Sequence, residues 1–131
     1  MKTKRVFLIA LLGSILFVLN DPTFATAQEK KPKSYSSIYV LKKEFEKAGG
    51  QCWEWSKNDQ LFAWVTGDCD KNTVLIFYPK KTNTLADALQ MAKTYRSIKV
   101  KVNLLVGPNW IINSDQVNIV RKKLGGTLIT R

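Results

Sequence analysis

Thr73-Val74-Leu75-Ile76-Phe77-Tyr78 is an apolar run without alternation, ended by Pro79. Successive side chains of a strand point to opposite faces of its sheet, so such a run marks a strand buried on both sides. It puts a covered sheet at the centre of the fold, and every other element must be arranged around it.

Upstream, Ile38, Leu41, Phe45 and Ala48 recur at the spacing of one helix face. Ser36 or Ser37 can cap that helix, and Gly49-Gly50 can stop it. Its other face carries Lys42, Lys43, Glu44, Glu46 and Lys47, a solvated surface. Next come Cys52 to Ser56, the turn-forming Lys57-Asn58-Asp59-Gln60, and Leu61 to Thr66, which together read as an aromatic-rich β-hairpin. A four-residue loop sets Trp53 opposite Trp64 and Trp55 opposite Phe62, all on one side of the hairpin. Cys52 then falls on the other side, across from Val65. Bonding Cys52 to Cys69 in that register requires the chain to curl back at Gly67 or to bulge, since the two Cα atoms must come within about 7 Å.

Downstream of the central strand, Thr84 to Ser97 has Leu85, Ala88, Leu89 and Ala92 at helical spacing, with Asn83 or Thr84 as cap. Ile98, Val100, Val102 and Leu104 alternate with polar residues as a half-buried strand. Val106-Gly107-Pro108-Asn109 turns the chain into the strand Trp110-Ile111-Ile112. Ser114 caps a last helix carrying Val117, Val120 and Leu124, stopped by Gly125-Gly126, and Thr127 to Thr130 forms a final strand. The fold class is α+β: a ferredoxin-like βαββαβ unit preceded by the N-terminal helix and the hairpin. In that arrangement one sheet face lies under two helices, and the N-terminal helix and hairpin extend or cover the rest.

The first 27 residues stand apart. Lys2, Lys4 and Arg5 precede an apolar stretch from Val6 to Leu19, and Ala25-Thr26-Ala27 offers the small-x-small pattern of a signal-peptidase site. Fourteen helical residues reach roughly 21 Å, short of the ~30 Å hydrocarbon core, so an export signal is expected and a membrane anchor is not. Cleavage is placed after Ala27, or alternatively after Ala25. Gln28 to Ser36 then reads as a flexible basic leader, and residues 37–131 as one domain. The mature chain has 104 residues with 18 basic and 9 acidic groups, a net charge of +9. In an oxidising compartment Cys52 and Cys69 are expected to form a disulfide, stabilising by about 3 kcal/mol in the chain-entropy model.

The chain contains no histidine. That removes His-based zinc sites, Ser-His-Asp and Cys-His pairs, and the usual general base near neutral pH. A catalytic thiol would lack its activating base. Asp68, Asp70 and Asn72 alternate like the start of a calcium loop, but Thr73 stands where the glycine belongs and Pro79 where the glutamate belongs. No metal and no cofactor is expected. A small hydrolase using Glu54 with Asp68 or Asp70 is the remaining enzymatic reading, set below a non-enzymatic one.

Charge and aromatics give the positive signals. Basic groups recur at Lys30, Lys31, Lys33, Lys80, Lys81, Lys99, Lys101, Arg121, Lys122, Lys123 and Arg131. Lys80, Lys81, Lys99, Lys101, Arg121, Lys122 and Lys123, on the sheet edge and last helix, are the candidate contacts to an anionic envelope polymer. Trp53, Trp55, Trp64 and Trp110 are candidates for an aromatic platform that stacks on sugar rings of a cell-wall polymer or on bases, candidate anchors for an extracellular protein partner, or else core. Nucleic acid is not expected, because Trp110-Ile111-Ile112-Asn113 carries no Gly-aromatic run of the RNA-recognition type. Leu104 to Asn113, followed by a helix and Leu124-Gly125-Gly126-Thr127-Leu128, resembles small exported or lipid-anchored domains of Gram-positive bacteria. No cysteine stands at the cleavage site for a lipid anchor. The resemblance implies an envelope or extracellular setting and no activity.

Overall fold

The computed structural model describes residues 29–58 and 63–131. The expected export signal over residues 1–27, and the expected hairpin positions Asp59, Gln60, Leu61 and Phe62, lie outside the described residues. The domain is α+β. Three helices, α1 (Ile38–Lys47), α2 (Thr84–Ser97) and α3 (Val117–Leu124), pack on one antiparallel sheet. Its strands are β1 (Trp55–Asn58), β2 (Val65–Cys69), β3 (Thr73–Phe77), β4 (Asn103–Val106), β5 (Trp110–Ser114) and β6 (Thr127–Thr130), in the order β1-β2-β3-β5-β4-β6.

β3 is covered on both faces, as its unbroken apolar run requires. Leu75 and Phe77 join Leu105, Trp110 and Ile112 under α1 and α3, where Ile38, Leu41, Phe45, Val117, Val120 and Leu124 enter the same core. Ile76 and Tyr78 join Leu104, Val106 and Ile111 on the opposite face, beneath Ala88 and Ala92 of α2. The helices therefore sandwich the sheet.

This corrects the ferredoxin-like expectation. In that arrangement the last strand lies beside the first of the βαββαβ unit, and both helices share a face. Here β6 pairs with β4, because the edge of β3 that β6 would need is occupied by β2. Both crossovers, β3 to β4 and β5 to β6, consequently step the same way across the sheet, starting from strands that run in opposite directions. Right-handed crossovers of that kind deliver their helices to opposite faces.

The hairpin register also differs. Trp55 pairs with Cys69 and Asn58 with Thr66, and the Cys52–Cys69 disulfide joins Cα atoms 4.6 Å apart. The shift from the expected register is by an odd number of positions, which exchanges the faces. Trp55 therefore lies on the α1 side, its ring 6.3 Å from that of Tyr39, with Lys42 Nζ 5.6 Å from its centroid. Trp64 packs on the other side, against Tyr78 at 6.0 Å. Gly67 holds this register open: a Cβ there would stand 1.9 Å from Cη2 of Trp55.

Helix ends explain three smaller departures. Ser37 caps α1, accepting from the Val40 N–H at 3.2 Å. Ser114, expected to cap α3, instead ends β5, where its hydroxyl lies 2.7 Å from that of Thr73. The strand expected from Ile98 starts only at Asn103. Residues 98–100 close α2 instead: Lys99 takes a positive φ of 58°, its N–H bonds to Arg96 O, and Val100 N–H bonds to Tyr95 O. This is the Schellman closure, made here without glycine. Leu85 and Leu89 of α2, placed inside by spacing, are 43% and 52% exposed. Ala88 and Ala92 are buried as expected, and the Thr84 hydroxyl, donating to Gly107 O at 2.6 Å, turns Thr84 inward in place of the leucines.

From Lys30 to Tyr35 the expected flexible leader is a strap fastened to the domain. Trp110 Nε1 donates to Lys33 O at 2.8 Å, and the Asn109 side chain both accepts from Tyr35 N–H (3.0 Å) and donates to Tyr35 O (2.7 Å). Tyr35 stacks on Trp110 with ring centroids 6.0 Å apart. Lys30 O lies so near Gly125 that a Cβ there would sit 1.8 Å from it.

Tyr78 is buried, and its hydroxyl makes no hydrogen bond of ordinary geometry among the described residues, although the Asp87 carboxylate stands near enough to interact with it. Burial first, and then the nearby Asp87 carboxylate, push its pKa well above the usual tyrosine value. Tyr35 is raised too, by burial and then Glu44. A folded state that holds these protons more tightly than the unfolded chain loses stability as pH rises past about 10, where the unfolded tyrosines ionise. We expect Tyr78→Phe to match or exceed the parent at pH 7 in urea titrations. Above pH 10 the variant is expected to shed the part of the alkaline decline due to this group, up to about 1.4 kcal/mol per pH unit. Equal declines in both proteins would contradict it.

Candidate functional site

The strand registers sort the expected basic residues into two groups. Phe77 pairs with Trp110 and Val106 with Thr127, so the ends of β3 and β4 and the starts of β5 and β6 share one end of the sheet. Thr73 with Ser114 and Asn103 with Thr130 mark the other. Lys80 and Lys81 follow β3 at the Trp110 end, where Tyr78 N–H bonds to Asn109 O. Arg121 and Lys122, in the last turn of α3, reach the same end just before Gly125. Lys99 and Lys101 precede β4 and lie at the opposite end. The seven candidate positions are therefore not one patch. Lys123 is turned toward α1, donating from Nζ to Lys47 O at 3.2 Å.

The strap supplies what the sequence-based patch left out. Its backbone bonds to Trp110 and Asn109 bring Lys30, Lys31 and Lys33 to the end of the sheet that also carries Lys80, Lys81, Arg121 and Lys122, and Lys30 lines one groove with Arg121 and Lys122. These lysines are exposed, and none of their side chains has an ion pair or hydrogen bond among the described residues. Arg121 pairs with Glu29 and also donates to Gly126 O at 3.4 Å. Between strap and helix lies a groove of about 320 Å³, lined by Glu29, Lys30, Asn118, Arg121, Lys122 and the two glycines 125 and 126, so that one carboxylate stands among its basic groups. The missed signal was the Tyr35–Asn109–Trp110 pairing, which no sequence period announces.

The four tryptophans separate in the same way. Trp110 is wholly buried in the core. Trp55 and Trp64 are half-buried on opposite faces of the hairpin. Trp53 alone stands out, 79% exposed.

The carboxylates considered for hydrolysis line one shallow depression: Glu54, Asp68 and Asp70. Asp70, however, is committed to the backbone. Its Oδ1 accepts from the Glu54 N–H at 2.8 Å and its Oδ2 from the Trp53 N–H at 3.4 Å. Glu54 and Asp68 are exposed to water. Among the described residues no group of three His, Cys, Asp or Glu side chains is placed to hold a metal ion. No helix there is long and apolar enough to cross a membrane.

The chain matches no family model, no curated protein and no solved structure at a significant level.

Proposed function

We propose that this chain is an exported, non-enzymatic binding module whose Trp110 end contacts an anionic polymer of the envelope or extracellular space. The observation that carries the reading is the fastening of Lys30, Lys31 and Lys33 to the end of the sheet that carries Lys80, Lys81 and Lys122. Like charges gathered at one end of the domain set up a positive potential there that attracts an anionic partner, and a fastened strap limits the ordering cost of binding. The net charge of +9 on the mature chain agrees in sign. Export is supported by the leader pattern of residues 1–27 and by the disulfide, a bond of oxidising compartments.

The test is retention of the oxidised chain on a phosphate-bearing wall polymer and on acidic vesicles across a salt series. Retention is expected to weaken about tenfold or more between low and high salt, because exposed charges are screened over a few ångströms at high ionic strength. The pair Lys80→Glu/Lys81→Glu is expected to weaken it further, and the pair Lys99→Glu/Lys101→Glu, at the other end, to leave it nearly unchanged. Salt-insensitive retention, or equal effects of the two pairs, would sink this reading.

A further inference from the structure

At the Ser114 end, away from the basic group, Trp53 overhangs an open groove of about 580 Å³ lined by Gln51, Glu54, Asp70, Lys71, Asn72, Asp115 and Gln116, among others. Its backbone is unusually constrained for a segment that carries an exposed aromatic. Cys52 is tied to Cys69, Asp70 clamps the N–H groups of Trp53 and Glu54, and Asp70 N–H returns a bond to Glu54 O at 3.3 Å. Gln116 holds Gln51 from both sides, accepting from its N–H at 2.8 Å and donating to its carbonyl at 3.4 Å.

Not every polar residue in the groove is available to a ligand. Asp70 and Gln116 are spent on the backbone, and Asp115 accepts from Asn103 through Oδ1. Glu54, Lys71 and Asn72 make no side-chain hydrogen bond or ion pair among the described residues. The second oxygen of Asp115 has no hydrogen bond there either. The groove thus joins an indole face with a carboxylate, an amide and an ammonium group, each on pinned or turn backbone. Its formal charge is negative, with Glu54, Asp70 and Asp115 against Lys71, so it disfavours the polyanions that suit the opposite end.

We propose that the Trp53 groove binds a neutral pyranose ring of a glycan chain. The C–H face of a pyranose is flat and apolar and stacks on an indole, while its ring hydroxyls both donate and accept. Those are the complements of a carboxylate and an amide set beside an exposed aromatic ring. Pinning the backbone beforehand removes an ordering cost that a flexible loop would incur on binding. This inference is independent of the basic end.

The experiment titrates the oxidised full-length mature chain with soluble β-1,4-linked oligosaccharides of glucose and, separately, of N-acetylglucosamine. The indole N–H resonance of Trp53 is followed by NMR. We expect a saturable shift with at least one of the two, retained at high salt. Trp53→Ala should weaken binding, measured calorimetrically, by about tenfold or more with an unchanged melting curve, since the ring is exposed. Asn72→Ala should weaken it by a smaller factor, and Lys80→Glu/Lys81→Glu should not affect it. No saturable shift with either sugar, or binding undiminished in both Trp53→Ala and Asn72→Ala, overturns the proposal. So does a Trp53 that responds only to a protein ligand.

Discussion

Trp110→Ala is expected to cost about 3–5 kcal/mol, a large part of the stability of a domain this size. Trp110 is wholly buried and closely enclosed. A Cβ on Gly107 would lie 2.0 Å from its Cε2, so the turn before β5 can be built only with glycine over the ring. Truncation leaves a cavity between the α3 face of the sheet and the strap, and the turn glycine cannot expand to fill it. It also removes the stack with Tyr35 and the donor to Lys33 O. Two readouts are therefore coupled. The urea midpoint should fall, and trypsin should cut after Lys30 and Lys33 faster than the loss of global stability alone would produce; Pro32 protects the bond after Lys31. Trp110→Phe keeps most of the apolar volume but deletes the donor, so its cost should be smaller, about 1–3 kcal/mol. A Trp110→Ala variant within about 1 kcal/mol of the parent would remove Trp110 from the core and the strap from its anchor. Because the strap carries Lys30, Lys31 and Lys33, the same variant should also weaken polyanion binding without altering a single charge.

How far the sequence discloses this molecule depends on the range of the interaction involved. The apolar run of β3 correctly demands cover on both faces, but it does not say which elements supply it: the ferredoxin-like expectation put α2 and α3 on one face and left the rest to α1 and the hairpin. That choice is decided by β2 occupying one edge of β3, a long-range fact with no local signature. The span of α2 is legible from its period, and α1 from its period and caps. The rotation of α2 is not, because two leucines and two alanines fit the same spacing and the decision rests with Thr84 bonding Gly107 O across 23 positions. The start of β4 was misplaced because Lys99, with no glycine to announce it, adopts the left-handed closure. Of the candidate site, the charges are written in the composition, but their grouping depends on registers and on the strap. Among the tryptophans, spacing could not separate the one exposed ring from the three that pack, since exposure follows from a register that the disulfide selects.

Removing that disulfide is the second large change, and its effects should be unevenly distributed. Cys52→Ala/Cys69→Ala, or reduction of the parent, is expected to cost about 3 kcal/mol, the loop-closure entropy of a bridge spanning 17 positions. Alanine suits position 69, which is fully buried and would penalise an unpaired hydroxyl. The loss should fall first on β1. That strand is the edge of the sheet, is four residues long and largely exposed, and pairs only with β2. β3, β4 and β5 lie inside the sheet with both faces covered. Amide hydrogen exchange should therefore accelerate strongly at β1 and at the amides of Trp53 and Glu54, which Asp70 holds, while exchange at Leu75, Leu105 and Ile112 should speed up only in step with the loss of global stability. Released from its clamp, Trp53 should lose its proposed glycan affinity before the domain unfolds, whereas polyanion binding at the opposite end should survive. Uniform acceleration across the sheet would mean that the hairpin and the central strands unfold as one unit, and that the bridge stabilises the domain as a whole instead of the Trp53 segment.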